Sequence, residues 1–312
     1  MSALKIAFLG APAFSVPSLE ILNTLDFVKI EAVITHPDKP KGRNLVLSAP
    51  PVKVCAEKCN LKVYQPERVS SPDFISILKS MSLDLIVIVS FGEILSGDVL
   101  NTPRLGCINV HSSLLPKYRG AAPVVWALMN GDRKTGVTTF WLTEKMDSGD
   151  IILQKEIDIL SSDTRGLLEE KLSNIGAEIL KDTLNAINKG NIQKTKQDVS
   201  KITYAPKISK KDGLIDLKNP AESIHNKIRA MNPWPGAHMF MKGLRVEVWE
   251  SEFKNVTISE PPGTVVLLDK SGIGIATASG ILIIKELQVE GKRRVKAEDF
   301  IHGYRINEGF VF

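Results

Sequence analysis

Leu83-Asp84-Leu85-Ile86-Val87-Ile88-Val89-Ser90 is apolar at nearly every position. A strand with one wet face alternates polar and apolar residues, whereas a strand covered on both faces does not. Eight residues are also too few for an ordinary helix. The stretch therefore reads as an inner strand of a sheet with helices on both sides. Its surroundings agree. Residues 4–10 read as a buried strand ending in Gly10, and residues 28–35 as another around Ala32-Val33-Ile34. Helices are expected over 16–25, 52–59 and 72–81, an extended piece over 61–64, and a strand over 106–111 followed by a helix over 122–130. This alternation predicts an α/β fold built on a doubly wound parallel sheet. Ligands bind such sheets beyond the carboxyl ends of the strands, and the end of the 106–111 strand is one such position.

Two further extended runs, 136–142 and 150–159, precede a long amphipathic helix over 163–188. Its Leu167, Leu168, Leu172, Ile175, Ile179, Leu180, Leu184 and Ile187 fall at helical spacing, and Lys189-Gly190-Asn191 carries stop chemistry. Residues 191–212 are polar and lysine-rich, and 191–206 is read as a basic linker. A helix over 220–231 and short strands near 244–250, 263–269, 272–277 and 281–289 then predict a small β-barrel. The expected division is a first domain over 1–190 and a second over 207–312.

The chain has 312 residues, of which 43% are hydrophobic, enough for two cores. Its net charge of +5 is unevenly spread: residues 1–190 hold 21 Lys and Arg against 21 Asp and Glu, and residues 191–312 hold 19 against 14. A neutral first part and a basic second part point to a polyanionic partner for the second. No run approaches the about 20 apolar residues of a membrane helix, and no N-terminal segment reads as a signal peptide. The expectation is a cytoplasmic monomer with no membrane partner. Three cysteines exclude a full disulfide framework, and Cys55 and Cys59, on a helix without further ligands nearby, read as reduced thiols with no metal.

The chemistry concentrates in Cys107-Ile108-Asn109-Val110-His111-Ser112-Ser113-Leu114-Leu115-Pro116. Residues two apart share a strand face, so Asn109 and His111 point one way and Ile108 and Val110 the other. An amide and an imidazole at a strand end suit polarisation of a carbonyl. Asp147, in Met146-Asp147-Ser148-Gly149-Asp150, supplies a carboxylate that could orient the imidazole or accept a proton from an attacking amine. Such a set suits acyl or formyl transfer to an amine without a metal or a covalent intermediate. The same residues have structural readings: a capped surface histidine and a turn aspartate. The Gly-x-Ser-x-Gly elbow, the dinucleotide fingerprint and the P-loop are missing. A basic, proline-punctuated loop, His36-Pro37-Asp38-Lys39-Pro40-Lys41-Gly42-Arg43-Asn44, reads either as an exposed loop or as a phosphate contact. Asn232-Pro233-Trp234-Pro235 reads as a stiff aromatic corner for packing or base stacking.

Cys107-Ile108-Asn109-Val110-His111-x-Ser113-Leu114-Leu115-Pro116, Arg119-Gly120-Ala121-Ala122-Pro123 and Asp147-Ser148-Gly149-Asp150 together resemble the folate-dependent formyltransferase family. Pro37-Asp38-x-Pro40-x-Gly42-Arg43, Tyr204-Ala205-x-Lys207-Ile208 and Asn232-Pro233-Trp234-Pro235 are similar to its branch acting on methionyl-tRNA, so the resemblance spans nearly the whole chain. It implies a Rossmann-like formyltransferase domain followed by a smaller OB-like β-barrel that binds tRNA. It implies 10-formyltetrahydrofolate as co-substrate and the methionyl amine of initiator tRNA as acceptor. An amino-sugar nucleotide or other small amine is the alternative acceptor. Asn109 and His111 would stabilise the oxyanion of the tetrahedral intermediate, and Asp147 would hold His111 and assist proton removal. Ser113, Leu114, Leu115 and Pro116 would lie against the folate. Lys41, Arg43 and Lys207 would contact the tRNA. Ser112 stands where the family usually has glycine, which would be awkward for a backbone with positive φ.

Overall fold

The computed structural model describes residues 3–41 and 46–312. Its contacts divide into two compact units. One comprises Met1–Pro123, Lys134–Asp158 and Glu169–Ala205, and the other Val124–Arg133, Ile159–Leu168 and Pro206–Phe312.

The first part of the chain runs β1 (Leu4–Gly10), α1 (Val16–Leu22), β2 (Val28–Ile34), a short hairpin of β3 (Lys39–Lys41) and β4 (Val46–Ser48), α2 (Pro51–Lys58) and β5 (Val63–Tyr64). There follow α3 (Pro72–Ser80), β6 (Leu85–Val89), α4 (Gly97–Leu100), β7 (Cys107–His111), β8 (Arg119–Gly120), α5 (Pro123–Met129), β9 (Lys134–Trp141), β10 (Ile151–Asp158), α6 (Arg165–Asn188) and β11 (Tyr204–Ala205). Seven of these strands form one sheet in the order β10-β9-β7-β6-β1-β2-β5. The β5-β2-β1-β6-β7 portion is parallel, as expected. Strand order reverses between β1 and β6, the switch point of a doubly wound sheet.

All five residues of β6 are buried, which accounts for its unbroken apolar sequence. The structure departs from an all-parallel sheet at one edge, where β9 and β10 run antiparallel to their neighbours. Apolar patterning sets which face is buried and carries no information about strand direction, so the two runs were legible but their sense was not. On one face, α6 approaches β7 at Gly176, where a Cβ would sit 3.2 Å from Val110 Cγ1. That contact takes one face of β7 and leaves the other to Asn109 and His111.

Residues read as a linker carry structure of their own. Thr195 exchanges both backbone hydrogen bonds with Ile151, and β11 pairs in parallel with β8. Backbone pairing to an existing strand edge, which needs no apolar side chains, explains why a polar, lysine-rich sequence is ordered here.

The second unit contains α7 (Ala221–Ala230), β12 (Ala237–Met241), β13 (Leu244–Lys254), β14 (Val265–Asp269), β15 (Gly272–Ala276), β16 (Ile281–Val289), β17 (Val295–Lys296) and α8 (Ala297–Tyr304). Its sheet is antiparallel in the order β12-β13-β16-β15-β14, with β17 beside β16. β12 and β13 are joined through Lys242 and Gly243, both at positive φ (49° and 79°), the two-residue hairpin geometry that suits strand twist. Ile224 and Ile228 of α7 are buried with Val246, Val248 and Leu287 of the sheet.

Candidate active site

The site is built on β7 and on the chain that returns to it. β7 lies between β6 and β9, with Asn109 opposite Ile88 on one side and Phe140 on the other. Asn109 is half-buried, and among the described residues no group hydrogen-bonds its carboxamide. It lines a cavity of about 430 Å³ together with His111, Ser112, Gly120 and Asp147.

His111 is buried, with the Phe140 ring edge-on at 6.4 Å between centroids. Its Nε2 lies 2.9 Å from the Tyr118 carbonyl oxygen. A carbonyl only accepts, so Nε2 carries a proton and donates it. Nδ1 is left facing Asp147, 3.9 Å from Oδ2. That separation is an ion-pair contact for a protonated ring and is too long for a hydrogen bond. The ring is thus held by Tyr118, with the Asp147 carboxylate alongside.

Asp147 sits at φ +46°, a region that L-residues with a side chain enter rarely. Its Oδ2 accepts the Gly120 N–H at 2.7 Å. Gly120 itself is at φ +124°, and a Cβ there would lie 2.7 Å from the Ala205 carbonyl oxygen. Glycine is therefore required where β8 meets β11, and that close approach aims the amide at Asp147.

The expected folate-side loop is placed differently from the cavity. Ser113 and Leu115 are buried, and Leu114 and Pro116 half-buried. The Ser113 hydroxyl donates to the Lys117 carbonyl, the Thr138 hydroxyl donates to the Ser113 carbonyl, and Gln154 donates to the Leu115 carbonyl. The loop is stapled to β9 and β10, and Ser112 is its residue on the cavity wall. Ser112 is not among the residues at positive φ, so its side chain brings no backbone strain.

Sequence reasoning missed the opposite wall, formed by Ser90, Phe91, Glu93, Ile94 and Leu95 after β6 and by Leu142, Thr143, Glu144 and Met146 before Asp147. His36 stacks on Phe91 at 4.8 Å and its Nε2 meets the Phe91 carbonyl at 2.7 Å, so the base of the basic loop braces that wall. Asp38 beside it takes hydrogen bonds from Lys53 and Gln65, which hold its carboxyl below the usual range. Arg43 lies outside the described residues, as does the Lys41 side chain; Lys207 is exposed on the second unit. Cys55, Cys59 and Cys107 are free, and burial pushes the thiols of Cys55 and Cys107 up to about 11 and about 12.

The arrangement offers an unpaired amide, an imidazole with a fixed tautomer and a carboxylate around one cavity. A sequence model described as formyl transferase matches residues 4–184, and one described as formyl transferase, C-terminal domain, matches residues 207–305. The chain is 42% identical over 308 residues to the methionyl-tRNA formyltransferase of Ruminiclostridium cellulolyticum, covering 98% of each. It is 44% identical over 308 residues to that of Bacillus velezensis, covering 98% of this chain and 97% of the relative. Among solved structures it is similar to the N-formyltransferase of Helicobacter canadensis, described in complex with folinic acid and dTDP-3-aminofucose. The TM-score there is 0.66 at 21% identity, over 95% of this chain and 100% of that one, a likeness of fold.

Proposed function

Since this chain belongs to the formyl transferase family, in its methionyl-tRNA formyltransferase branch, we propose that Asn109, His111 and Asp147 carry out its reaction. The co-substrate is 10-formyltetrahydrofolate, which supplies the formyl group, and the acceptor is the α-amine of methionyl-tRNA. The bond from the formyl carbon to the methionyl nitrogen forms, the bond to the folate nitrogen breaks, and the proton that leaves the amine is balanced by one taken up at the folate nitrogen.

The observation that carries the assignment is the pairing of His111 Nδ1 with Asp147 beside the unpartnered Asn109 carboxamide. Oxygen charge that builds up at the formyl carbon needs donors that are already in place. The Asn109 amide is such a donor. His111 has committed its Nε2 proton to Tyr118, so it acts through Nδ1: protonated, that atom donates to the same oxygen while Asp147 balances its charge. Asp147 Oδ1, without a hydrogen-bond partner among the described residues, is positioned to take the amine proton.

The cavity fits the co-substrate. Ile88, Phe91, Ile94, Leu95 and Leu142 give apolar walls for a flat bicyclic ring, and Ser90 and Asn109 give polar edges. The acceptor tRNA is the initiator species, reached through the basic loop with Lys41 and Arg43 and through Lys207 on the second unit, where the positive excess lies. The enzyme works in the cytoplasm, the compartment in which its aminoacylated tRNA is made and used.

The test is incorporation of labelled formyl groups from 10-formyltetrahydrofolate into initiator methionyl-tRNA, elongator methionyl-tRNA and an amino-sugar nucleotide in parallel. Transfer to the initiator species in preference to both others is expected. Transfer to the sugar nucleotide alone would overturn the reading.

A further inference from the structure

We infer that Gln197 is a positioning residue for Asp147. The inference rests on the catalytic reading of Asp147 above and extends it to a segment whose sequence looks like a linker.

Gln197 is half-buried between two fixed points. Thr195, two residues earlier, is bridged to Ile151, and Asp198, one residue later, caps the turn that starts at Val199. Its side-chain amide is fully used. Nε2 donates to the backbone carbonyls of Asp147 and Gly149, both at 2.8 Å. Oε1 accepts from Arg119 Nη2 at 2.7 Å and Nε at 3.1 Å. Carbonyls only accept and guanidinium groups only donate, so this network permits one orientation of the amide. Arg119 is itself buried and adjoins Gly120, whose N–H holds Asp147 Oδ2. One side chain thus ties the backbone on both sides of the Asp147 carboxylate.

The tie matters because the backbone there is strained. A non-glycine residue in the left-handed region is disfavoured and persists only where its surroundings over-determine it. Asp147 at φ +46° is such a residue. Without the two donated hydrogen bonds, the turn can relax toward an ordinary φ and carry the carboxylate away from the Gly120 N–H and from His111 Nδ1. Gln197 does not line the cavity. Its loss should therefore affect the chemical step and leave both substrates bound as before.

Two variants separate the contributions. Gln197→Glu keeps the acceptor for Arg119 and sets a carboxylate against two carbonyls; Gln197→Leu removes both functions. Each should lower kcat about 10- to 100-fold, the scale of a roughly 1 Å misplacement, with both KM values within about twofold of wild type. Single-turnover rates in an Asp147→Asn background provide the control, where Gln197→Glu and Gln197→Leu should cost less than about twofold more, because coupled residues are not additive. The full loss recurring in that background, a change confined to KM, or wild-type kcat in Gln197→Glu, would overturn the inference. Gln197→Glu is nearly isosteric and carries the test if Gln197→Leu does not fold. An active Asp147→Asn enzyme would overturn the catalytic reading itself, a result distinct from failure at Gln197.

Discussion

The Tyr118 carbonyl accepts the Nε2 proton of His111 at 2.9 Å, and this bond fixes the tautomer of the neutral ring. Tyr118 is at φ +61°, so the turn that delivers its carbonyl is itself held in an uncommon conformation. With Nε2 occupied, Nδ1 is the nitrogen that faces Asp147.

Asn109→Ala removes the neutral donor and leaves a pocket already open to the cavity. A loss of about 10²–10³ in kcat, the usual consequence of deleting one oxyanion donor, is expected, with KM for the folate nearly unchanged. Steady-state kinetics at saturating methionyl-tRNA measure this.

Gly149→Ala should be severe for a different reason. A Cβ there would collide with the Trp141 carbonyl oxygen, so the backbone next to Asp147 must move. A fall in melting temperature together with lost formylation is expected. Gly303→Ala in α8 is the contrast: nothing lies within 4 Å of its Cβ position, and the change should stabilise the protein by about 1 kcal/mol through helix propensity.

Ile94 is 86% exposed although it lines the cavity. Its substitution costs the unliganded fold little, so Ile94→Asp should leave the melting temperature within about 1 °C while raising KM for 10-formyltetrahydrofolate about tenfold, the loss expected from an apolar contact made on binding. Equal KM values in the two proteins would mean that this wall does not meet the folate.

His225 in the second unit gives a pH dependence. Burial, with a further contribution from the Arg229 charge, pushes its imidazole down to about 4, and its Nδ1 lies 3.0 Å from the Ser251 hydroxyl. The unfolded chain takes up the proton near pH 6.5 and the folded chain does not until near pH 4. Between those values acid favours the unfolded state. His225→Gln should remove that component, so the stability difference between wild type and variant shifts in the variant's favour as pH falls from about 6.5 to about 4. Urea unfolding across the range measures it, and a difference that stays constant would contradict the assignment.

Local signals were legible in the sequence and long-range ones were not. The apolar run of β6 and the Asn109–His111 alternation on β7 depend only on neighbours in the chain, and both stand in the structure as read. Asp147 stands out in the sequence by its chemistry and its motif, whereas its approach to a histidine on another strand is set by the fold and not by spacing. Tyr118 contributes a backbone carbonyl, which has no side-chain signature at all. Gln197 sits among lysines in a segment whose order comes from backbone pairing with Ile151. The Ser90–Leu95 wall follows a strand end and has no polar pattern to mark it. The direction of β9 and β10 was hidden for a related reason: burial patterning is the same for either sense.

His111 and Asp147 are proposed to act together on the transferred formyl group. Single-turnover formylation of methionyl-tRNA by wild type, His111→Ala, Asp147→Asn and the double variant tests it most directly. Each single variant should lose about 10³-fold or more in rate while tRNA and folate still bind, and the double variant should be scarcely slower than either, as residues acting as a unit behave. A single variant turning over near the wild-type rate, or losses that multiply in the double variant, would contradict it.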